Sequence, residues 1–149
     1  MQITPAVGIP EVSIGDSRSD VESRLGEPSS SEEGRAFYFD REPNFSVHYD
    51  GAGTVELIEV VHGEGAAEAF LGEIQLTFRL MDDVVEDLEI GGFTSRPVDI
   101  GRVYDAGFCV FSMASRDPSE LVDGAKFDED DERLVVEGVS IAPASYWRD

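Results

Sequence analysis

Residues 14–28, IGDSRSDVESRLGEP, predict a short helix whose start and end are both encoded locally. Ser17 is a candidate N-cap, because its hydroxyl can accept a hydrogen bond from a backbone N–H in the first turn. Val21 and Leu25 are four residues apart and share one helix face. Gly26 and the proline two residues later end the helix. A helix of about eight residues is not stable alone, so it must pack on another element.

Three strand-like runs follow this helix, at residues 35–40, 44–50 and 54–62. In the middle run the apolar residues Phe45, Val47 and Tyr49 alternate with polar ones, which indicates an antiparallel sheet with one buried face. The DGAG sequence at residues 50–53 is typical of a hairpin turn, because Asp and Gly tolerate positive φ angles. These runs supply the sheet on which the helix can lie.

The same order of elements recurs in the second part of the chain. Val84 and Leu88 repeat the helical pair 63 residues later, a hairpin is predicted around residues 105–107, and a last strand over 133–143. We therefore predict an α+β fold of two tandem strand–helix–three-strand repeats, with an antiparallel sheet and the helices on one face. Two ordinary α+β stretches that resemble each other by coincidence are the alternative.

The predicted boundaries are as follows: a single compact domain over residues 1–149, repeats at about 12–62 and 74–142, a linker at about 63–73, and an acidic insertion at 117–132.

The charge of the chain is the strongest signal in its composition. The formal net charge is −21, and Lys126 is the only lysine among 11 basic residues. This pattern resembles proteins of halophiles that accumulate salt, whose carboxylate-rich surfaces repel themselves until counterions screen them. A functional acidic face that meets a basic partner is the alternative. Either interpretation disfavours binding to nucleic-acid phosphates.

Targeting and redox signals are absent from the sequence. The chain has no run approaching the roughly 18 apolar residues of a membrane span, and it does not open on a signal-peptide pattern. We therefore expect a soluble cytoplasmic protein that does not bind membranes. Cys109 is the only cysteine and lies in an apolar run, which favours a buried, unreactive thiol.

The motif I-G-D-S-x-x-D-V-x-x-x-L-G-E-P, followed by a hairpin and Y-D-G-A-G-x-V-x-x-I, resembles the SmpA/OmlA-type domain and the related β-lactamase-inhibitor-protein-like fold. The resemblance covers residues 12–62 directly and 74–142 through the repeat. The matching positions are all structural: Gly15, Ser17, Val21, Leu25, Gly26, Pro28, Asp50, Gly53, Val55 and Ile58.

Members of that group are chiefly non-enzymatic binders. They include assembly factors of outer-membrane machinery and inhibitors that hold a partner on the open face of a tandem sheet. The resemblance therefore implies a binding module, of an inhibitor or immunity type, that engages a protein partner. This chain lacks the signal and lipidation site of the envelope members, so the resemblance supports the fold more than a particular role.

Candidate partner-binding residues fall into two groups, aromatic or polar side chains of the sheet and its end, and an acidic loop. Consecutive aromatic residues in a strand must point to both faces, and aromatic residues on an exposed face are favoured interface anchors. An alternative role for the aromatic residues is to close the ends of a small core. The candidates are Phe37, Tyr38, Phe39, Ser46, His48, Asp128, Glu129, Asp130, Asp131, Glu132, Tyr146 and Trp147.

No constellation of residues predicts catalysis, a cofactor or a metal. The serines form no nucleophile elbow, and no glycine-rich phosphate loop is present. The acidic run lacks the ligand spacing of a calcium loop, and His48 and His62 are predicted to lie far apart along their hairpin. We expect a non-enzymatic protein. A small-ligand domain or an enzyme that uses a pocket between sheet and helices is the alternative.

Overall fold

The structure is a computed structural model, and it describes residues 1–40, 44–61, 68–113 and 134–147. The acidic residues 128–132, the whole 117–132 insertion and His62 lie outside the described residues. The predictions made for them therefore stay predictions.

The described elements occur in the same order in the two parts of the chain. In the first half, residues 1–61, they are β1 (Gly8–Ile9), β2 (Val12–Ser13), α1 (Arg18–Leu25), β3 (Ser30–Glu32), β4 (Arg35–Tyr38), β5 (Asn44–Tyr49) and β6 (Val55–Val61). In the second half, residues 68–147, they are β7 (Phe70–Leu71), β8 (Ile74–Gln75), α2 (Met81–Ile90), β9 (Ser95–Val98), β10 (Gly101–Tyr104), β11 (Phe108–Phe111) and β12 (Gly138–Ile141). A 3₁₀ helix, Ala144–Trp147, follows β12.

Eight of the strands form one antiparallel sheet in the order β3-β4-β5-β6-β12-β11-β10-β9. The predicted α+β class with a mostly antiparallel sheet is therefore confirmed. The strands β1-β2 and β7-β8 form two separate two-stranded hairpins beside it. No helix in the described ranges is long and apolar enough to cross a bilayer.

In the described part of the chain each helix is followed by four strands of the large sheet, so the prediction of three strands per half is wrong by one. The additional strands, β3 and β9, are the two edges of the sheet. All three residues of β3 are exposed, and β9 contains Pro97. Edge strands bury little and tolerate proline, so their sequences lack the apolar alternation that identifies a strand. The hairpin partner β7 likewise lies inside the predicted linker.

The first helix begins and ends where its sequence indicates. Ser17 has an extended backbone and its hydroxyl accepts a hydrogen bond from the backbone N–H of Asp20 at 3.2 Å. Gly26 ends the helix with a φ of 81°, and its N–H donates to the carbonyl of Glu22. The second helix lacks a side-chain cap, because its N-cap position is Leu80. Its three buried residues, rather than its cap, therefore stabilise it.

Both helices cover the same face of the eight-stranded sheet. The buried helical residues Val21, Val84 and Leu88 belong to one apolar cluster together with inward-pointing residues of β4, β5, β6, β10, β11 and β12. Two stacked aromatic pairs lie in this cluster at corresponding places. Tyr38 pairs across strands with Phe45 in the first half, and Tyr104 pairs with Phe108 in the second. Their ring centroids are 5.1 and 4.7 Å apart.

Three backbone hydrogen bonds join the start of each helix to the segment that leads into a central strand, residues 53–55 for β6 and residues 134–136 for β12. In the first half, the N–H of Gly15 donates to Val55, that of Val55 to Asp16, and that of Arg18 to Gly53. In the second half, the N–H of Phe78 donates to Val136, that of Val136 to Arg79, and that of Met81 to Leu134. Gly15 and Phe78 also both have positive φ angles, 93° and 57°. The connection from hairpin to helix is therefore the same in both halves.

Candidate functional site

The sheet face opposite the two helices, called here the open face, carries the side chains that point away from the main core. Cross-strand pairing aligns one row of them through the middle of the sheet. The row runs Phe37, Ser46, Glu59, Ser140, Cys109, Val103 and Arg96, from β4 to β9. Because side chains alternate along each strand, residues two positions away on the same strands also lie on the open face.

The second half of the open face is apolar and largely covered. Val103, Cys109 and Phe111 are buried, and Trp147 of the 3₁₀ helix packs against them. The Arg96 guanidinium holds the end of this helix by donating to the carbonyl of Trp147 at 2.6 Å. Burial raises the pKa of the Cys109 thiol to about 11. The thiol is therefore protonated at neutral pH, in agreement with its predicted unreactive character.

The first half of the open face is polar and partly exposed. We call Arg35, Phe37, Ser46, His48 and Glu59 the first-half patch. The Arg35 guanidinium lies 5.0 Å from the centroid of the Phe37 ring, within the range of a cation–π interaction. Its Nε–H donates to Nε2 of His48 at 3.1 Å. Two contacts therefore hold the Arg35 side chain against its neighbours on the sheet.

His48 connects the other members of the first-half patch. The Ser46 hydroxyl lies 3.4 Å from Nε2 of His48, and a carboxylate oxygen of Glu59 lies 3.9 Å from the same nitrogen. Since Nε2 accepts the Arg35 hydrogen bond, the neutral imidazole carries its proton on Nδ1. His48 and Glu59 are therefore in contact without forming an ion pair at neutral pH.

Burial changes the proton affinity of both groups. Burial, followed by the charge of Arg35, lowers the pKa of His48 to about 4. Burial also raises the pKa of Glu59, although the charge of Arg35 acts in the opposite direction. At neutral pH the first-half patch consequently holds one fixed cation, one neutral imidazole and one partly desolvated carboxylate.

We expect NMR titration to give His48 a pKa near 4. The unfolded chain takes up this proton near the ordinary value of about 6.5, so between these two values the unfolded state binds more protons than the folded state. The contribution of neutral His48 to stability is therefore full above pH 6.5 and is lost as the pH falls towards 4. The raised pKa of Glu59 changes stability with pH in the opposite direction. The contribution of His48 is therefore isolated by comparing the pH dependence of the unfolding free energy, from urea unfolding, between wild type and His48→Gln.

Arg35→Ala provides the control for this titration. Removal of the guanidinium removes one of the two causes of the low pKa, so the pKa of His48 should rise while remaining below its ordinary value. A pKa near 6.5 in the wild-type protein would contradict the burial of His48 described here.

Comparison of this chain with protein-family models, with curated proteins and with solved structures gives no match. Functional conclusions therefore rest on the geometry of the open face. Among the described residues, no group of three or more His, Cys, Asp or Glu side chains is placed to hold a metal ion.

The predicted partner-binding residues are distributed over both sides of the sheet. Phe37, Ser46 and His48 lie together in the first-half patch. Phe39 is 57% exposed, and its ring centroid lies 5.4 Å from that of Phe37. Tyr38, by contrast, is 1% exposed and stacks on Phe45 in the main core, so it has no surface to offer a partner.

Tyr146 and Trp147 have different environments although they are neighbours in the 3₁₀ helix. Trp147 packs on the apolar half of the open face, whereas Tyr146 is 42% exposed. Burial raises the pKa of the Tyr146 phenol, and the charges of Glu56 and Glu59 raise it further. Tyr146 therefore lies close enough to the first-half patch to sense its carboxylate.

Arg35 and Glu59 are the members of the first-half patch that the sequence analysis did not identify. Glu59 had a recognisable signal, because it interrupts an apolar run, with Ile58 and Val60 on either side, in a strand that becomes central. A charged residue in such a strand is rare unless it is paired or functional. Arg35 had no signal, since a basic residue at the start of a strand is common.

Two depressions offer space for a small ligand, as the alternative function requires. One, of about 250 Å³, lies between α2 and strands β9 and β10 and is lined by Val85, Glu89, Phe93, Thr94, Ser95, Arg102 and Tyr104. The other, of about 360 Å³, lies between the β5–β6 turn and the 3₁₀ helix beside Tyr146. In the first, the Arg102 Nε–H donates to the Ser95 hydroxyl at 2.8 Å, so its main polar groups already bind each other.

Proposed function

We propose that this chain is a non-enzymatic binding protein that holds a protein partner on the first half of its open face. The observation that carries the proposal is the first-half patch, which places a clamped guanidinium, an aromatic ring and a partly desolvated carboxylate on one partly exposed sheet surface. Phe39 and Tyr146 add exposed aromatic area beside it. Aromatic residues and arginine are the side chains most enriched at the centres of protein interfaces.

We also propose that the two halves are a tandem duplication, as the resemblance to the β-lactamase-inhibitor-protein-like fold implies. The repeated helix connections support this, because each residue at the start of the first helix that makes these hydrogen bonds has its counterpart 63 positions later, and each of its bonding partners has its counterpart 81 positions later. With the second offset, Glu59 corresponds to Ser140, and these two residues pair with each other across β6 and β12. A local two-fold axis through this pair is the arrangement that two equal halves would give.

The duplication supports a binding role for the first-half patch. At the corresponding strand positions of the second half, Arg35, His48 and Glu59 are replaced by Gly101, Phe111 and Ser140. The second half therefore forms the same strands without any of these polar groups. Since a partly buried carboxylate costs folding free energy, its presence in one half alone favours a use outside the fold itself.

The acidic surface elsewhere is proposed to be an adaptation to concentrated intracellular salt. Of 32 carboxylic residues, only Glu59 belongs to the first-half patch. An acidic contact loop at residues 128–132 is the alternative that the charge leaves open. A small-ligand function is the second candidate. The cleft between α2 and the sheet, about 250 Å³, is smaller than the roughly 300–1,000 Å³ of typical ligand sites, whereas the depression beside Tyr146, about 360 Å³, falls within that range.

Site-specific photo-cross-linking tests the proposed function. A photoreactive phenylalanine analogue at position 37 should form a protein adduct in an extract of the host cells at high KCl concentration. The same analogue in place of Ile90, which is 78% exposed on the helix side, should form none. The Arg35→Ala substitution should reduce the adduct at position 37. Equal amounts of adduct from positions 37 and 90, or no adduct from position 37, would contradict the proposal that the open face binds the partner.

A further inference from the structure

We propose that Glu59 is the recognition group for an arginine or lysine side chain of the protein partner. This inference rests on the proposed function. It adds that the partner contacts the centre of the open face through a basic side chain. Glu59 lies on β6, one of the two middle strands of the eight-stranded sheet, opposite Ser46 on one side and Ser140 on the other.

The Glu59 carboxylate is partly buried but has no cation of its own among the described residues. Its side chain is 25% exposed, and its one contact with a basic side chain in the described ranges is with His48, at 3.9 Å. His48 is neutral at pH 7, so it cannot balance the charge. Arg35 forms no ion pair with Glu59, because it is held on Phe37 and on the imidazole. A cation from a partner would therefore complete an ion pair for which residues 1–40, 44–61, 68–113 and 134–147 supply only the carboxylate.

The residues beside Glu59 on both adjacent strands are small. Ser46 and Ser140 are buried serines, so neither side chain projects beyond the longer Glu59 side chain. Phe37 lies one strand beyond Ser46, and Tyr146 is near enough for its phenol to sense the charge of Glu59. Arg and Lys side chains combine an apolar stem with a charged end, which suits a surface that holds both a carboxylate and the Phe37 ring.

The composition indicates a high-salt environment. In such an environment a partly buried carboxylate distinguishes basic from non-basic partners better than an exposed carboxylate does. At about 1 M salt the Debye length falls to about 3 Å, so exposed carboxylates discriminate poorly between partners. A partly buried pair is screened much less. The net charge of −21 favours a cation over an anion at this surface.

Selection from a random peptide library displayed on phage tests this inference. The targets are the immobilised wild-type protein, Glu59→Gln and Glu86→Gln, all at the same high KCl concentration. Glu86→Gln makes the same change of charge at an exposed position of α2, on the helix side. Wild type and Glu86→Gln should enrich peptides with a central arginine or lysine, and Glu59→Gln should not.

The affinity of one synthetic peptide, taken from the wild-type selection, measures how much Glu59 contributes to binding. The peptide should bind Glu59→Gln at least about tenfold more weakly than wild type, and Glu86→Gln within about twofold. Glu59→Asp retains the charge on a shorter side chain, so it should keep the preference for basic peptides at reduced affinity. This variant gives the answer if Glu59→Gln fails to fold.

The outcomes separate this inference from the proposed function. Peptides that bind wild type, lose affinity with Phe37→Ala and show no preference for basic residues would overturn the role of Glu59 alone. Unchanged affinity for Glu59→Gln would do the same. A wild-type protein that enriches no peptide at all would overturn the binding surface as well.

Discussion

Replacement of Gly101 by alanine is expected to destabilise the folded protein by at least about 3 kcal/mol. Gly101 begins β10 and pairs with Phe111 of β11. A Cβ atom at this position would lie 1.8 Å from the carbonyl oxygen of Val110 and 2.9 Å from the Cα of Phe111. Both are backbone atoms of the adjacent strand, so the new methyl group can be accommodated only if the β10–β11 pairing opens.

Gly51→Ala is the matched control for this prediction. Gly51 lies in the β5–β6 turn, and an added Cβ atom would meet nothing within 4 Å. Its effect should be within about 0.5 kcal/mol. Urea unfolding followed by circular dichroism, at one KCl concentration, measures both. Equal stability of the two variants would contradict the close approach of β10 to β11.

Phe45→Ala and Phe108→Ala are each expected to cost about 3–5 kcal/mol. Both rings are buried on the helix side of the sheet, and each stacks on a tyrosine of the preceding strand. Truncation removes the apolar contacts of the ring and leaves a cavity. It also removes the stacking partner of the tyrosine. Because the two residues occupy corresponding places in the two halves, we expect similar costs from both.

Phe39→Ala separates this effect from the loss of an aromatic ring in general. Phe39 is largely exposed at the end of β4, so its truncation should cost less than about 1 kcal/mol. Urea midpoints of the three variants, compared at constant slope, give the measurement. A large loss for only one of Phe45 and Phe108 would show that the halves contribute unequally to the core.

The features that could be predicted from the sequence are those set by neighbouring residues. Ser17 and Gly26 delimit α1 because capping is a local interaction, and the DGAG turn connects β5 to β6 as its composition indicates. Asp50 stabilises that turn by accepting hydrogen bonds from the N–H groups of Ala52 and Thr54. Helix caps and tight turns of this kind depend on neighbouring residues and not on the rest of the fold.

The features that could not be predicted depend on partners distant in the sequence. The two edge strands are recognisable only once the sheet exists, because their residues bury little. The pairing of β6 with β12 joins segments that are about 80 residues apart, and no local pattern encodes it. The β-bulge between His48 and Tyr49 also shifts the register, so that His48 pairs with Leu57 rather than with Glu56, the partner that continuation of the Tyr49–Val55 pairing would give.

The candidate site was only partly predictable for the same reason. Alternation along β5 correctly suggested that Ser46 and His48 share a face. Alternation could not decide which of Phe37 and Tyr38 points to the core, since three aromatic residues are consecutive there. Glu59 joins these residues only through cross-strand pairing, which is a property of the assembled sheet.

The position of β12 beside β6 has a consequence for synthesis on the ribosome. β12 emerges about 80 residues after β6, so a nascent chain that has finished its first half presents one side of β6 as an apolar edge without a neighbour. Such an edge can pair with the same strand of another nascent molecule. Production of the first half alone should therefore favour aggregation, and chaperones that shield strand edges should raise the yield of the whole chain.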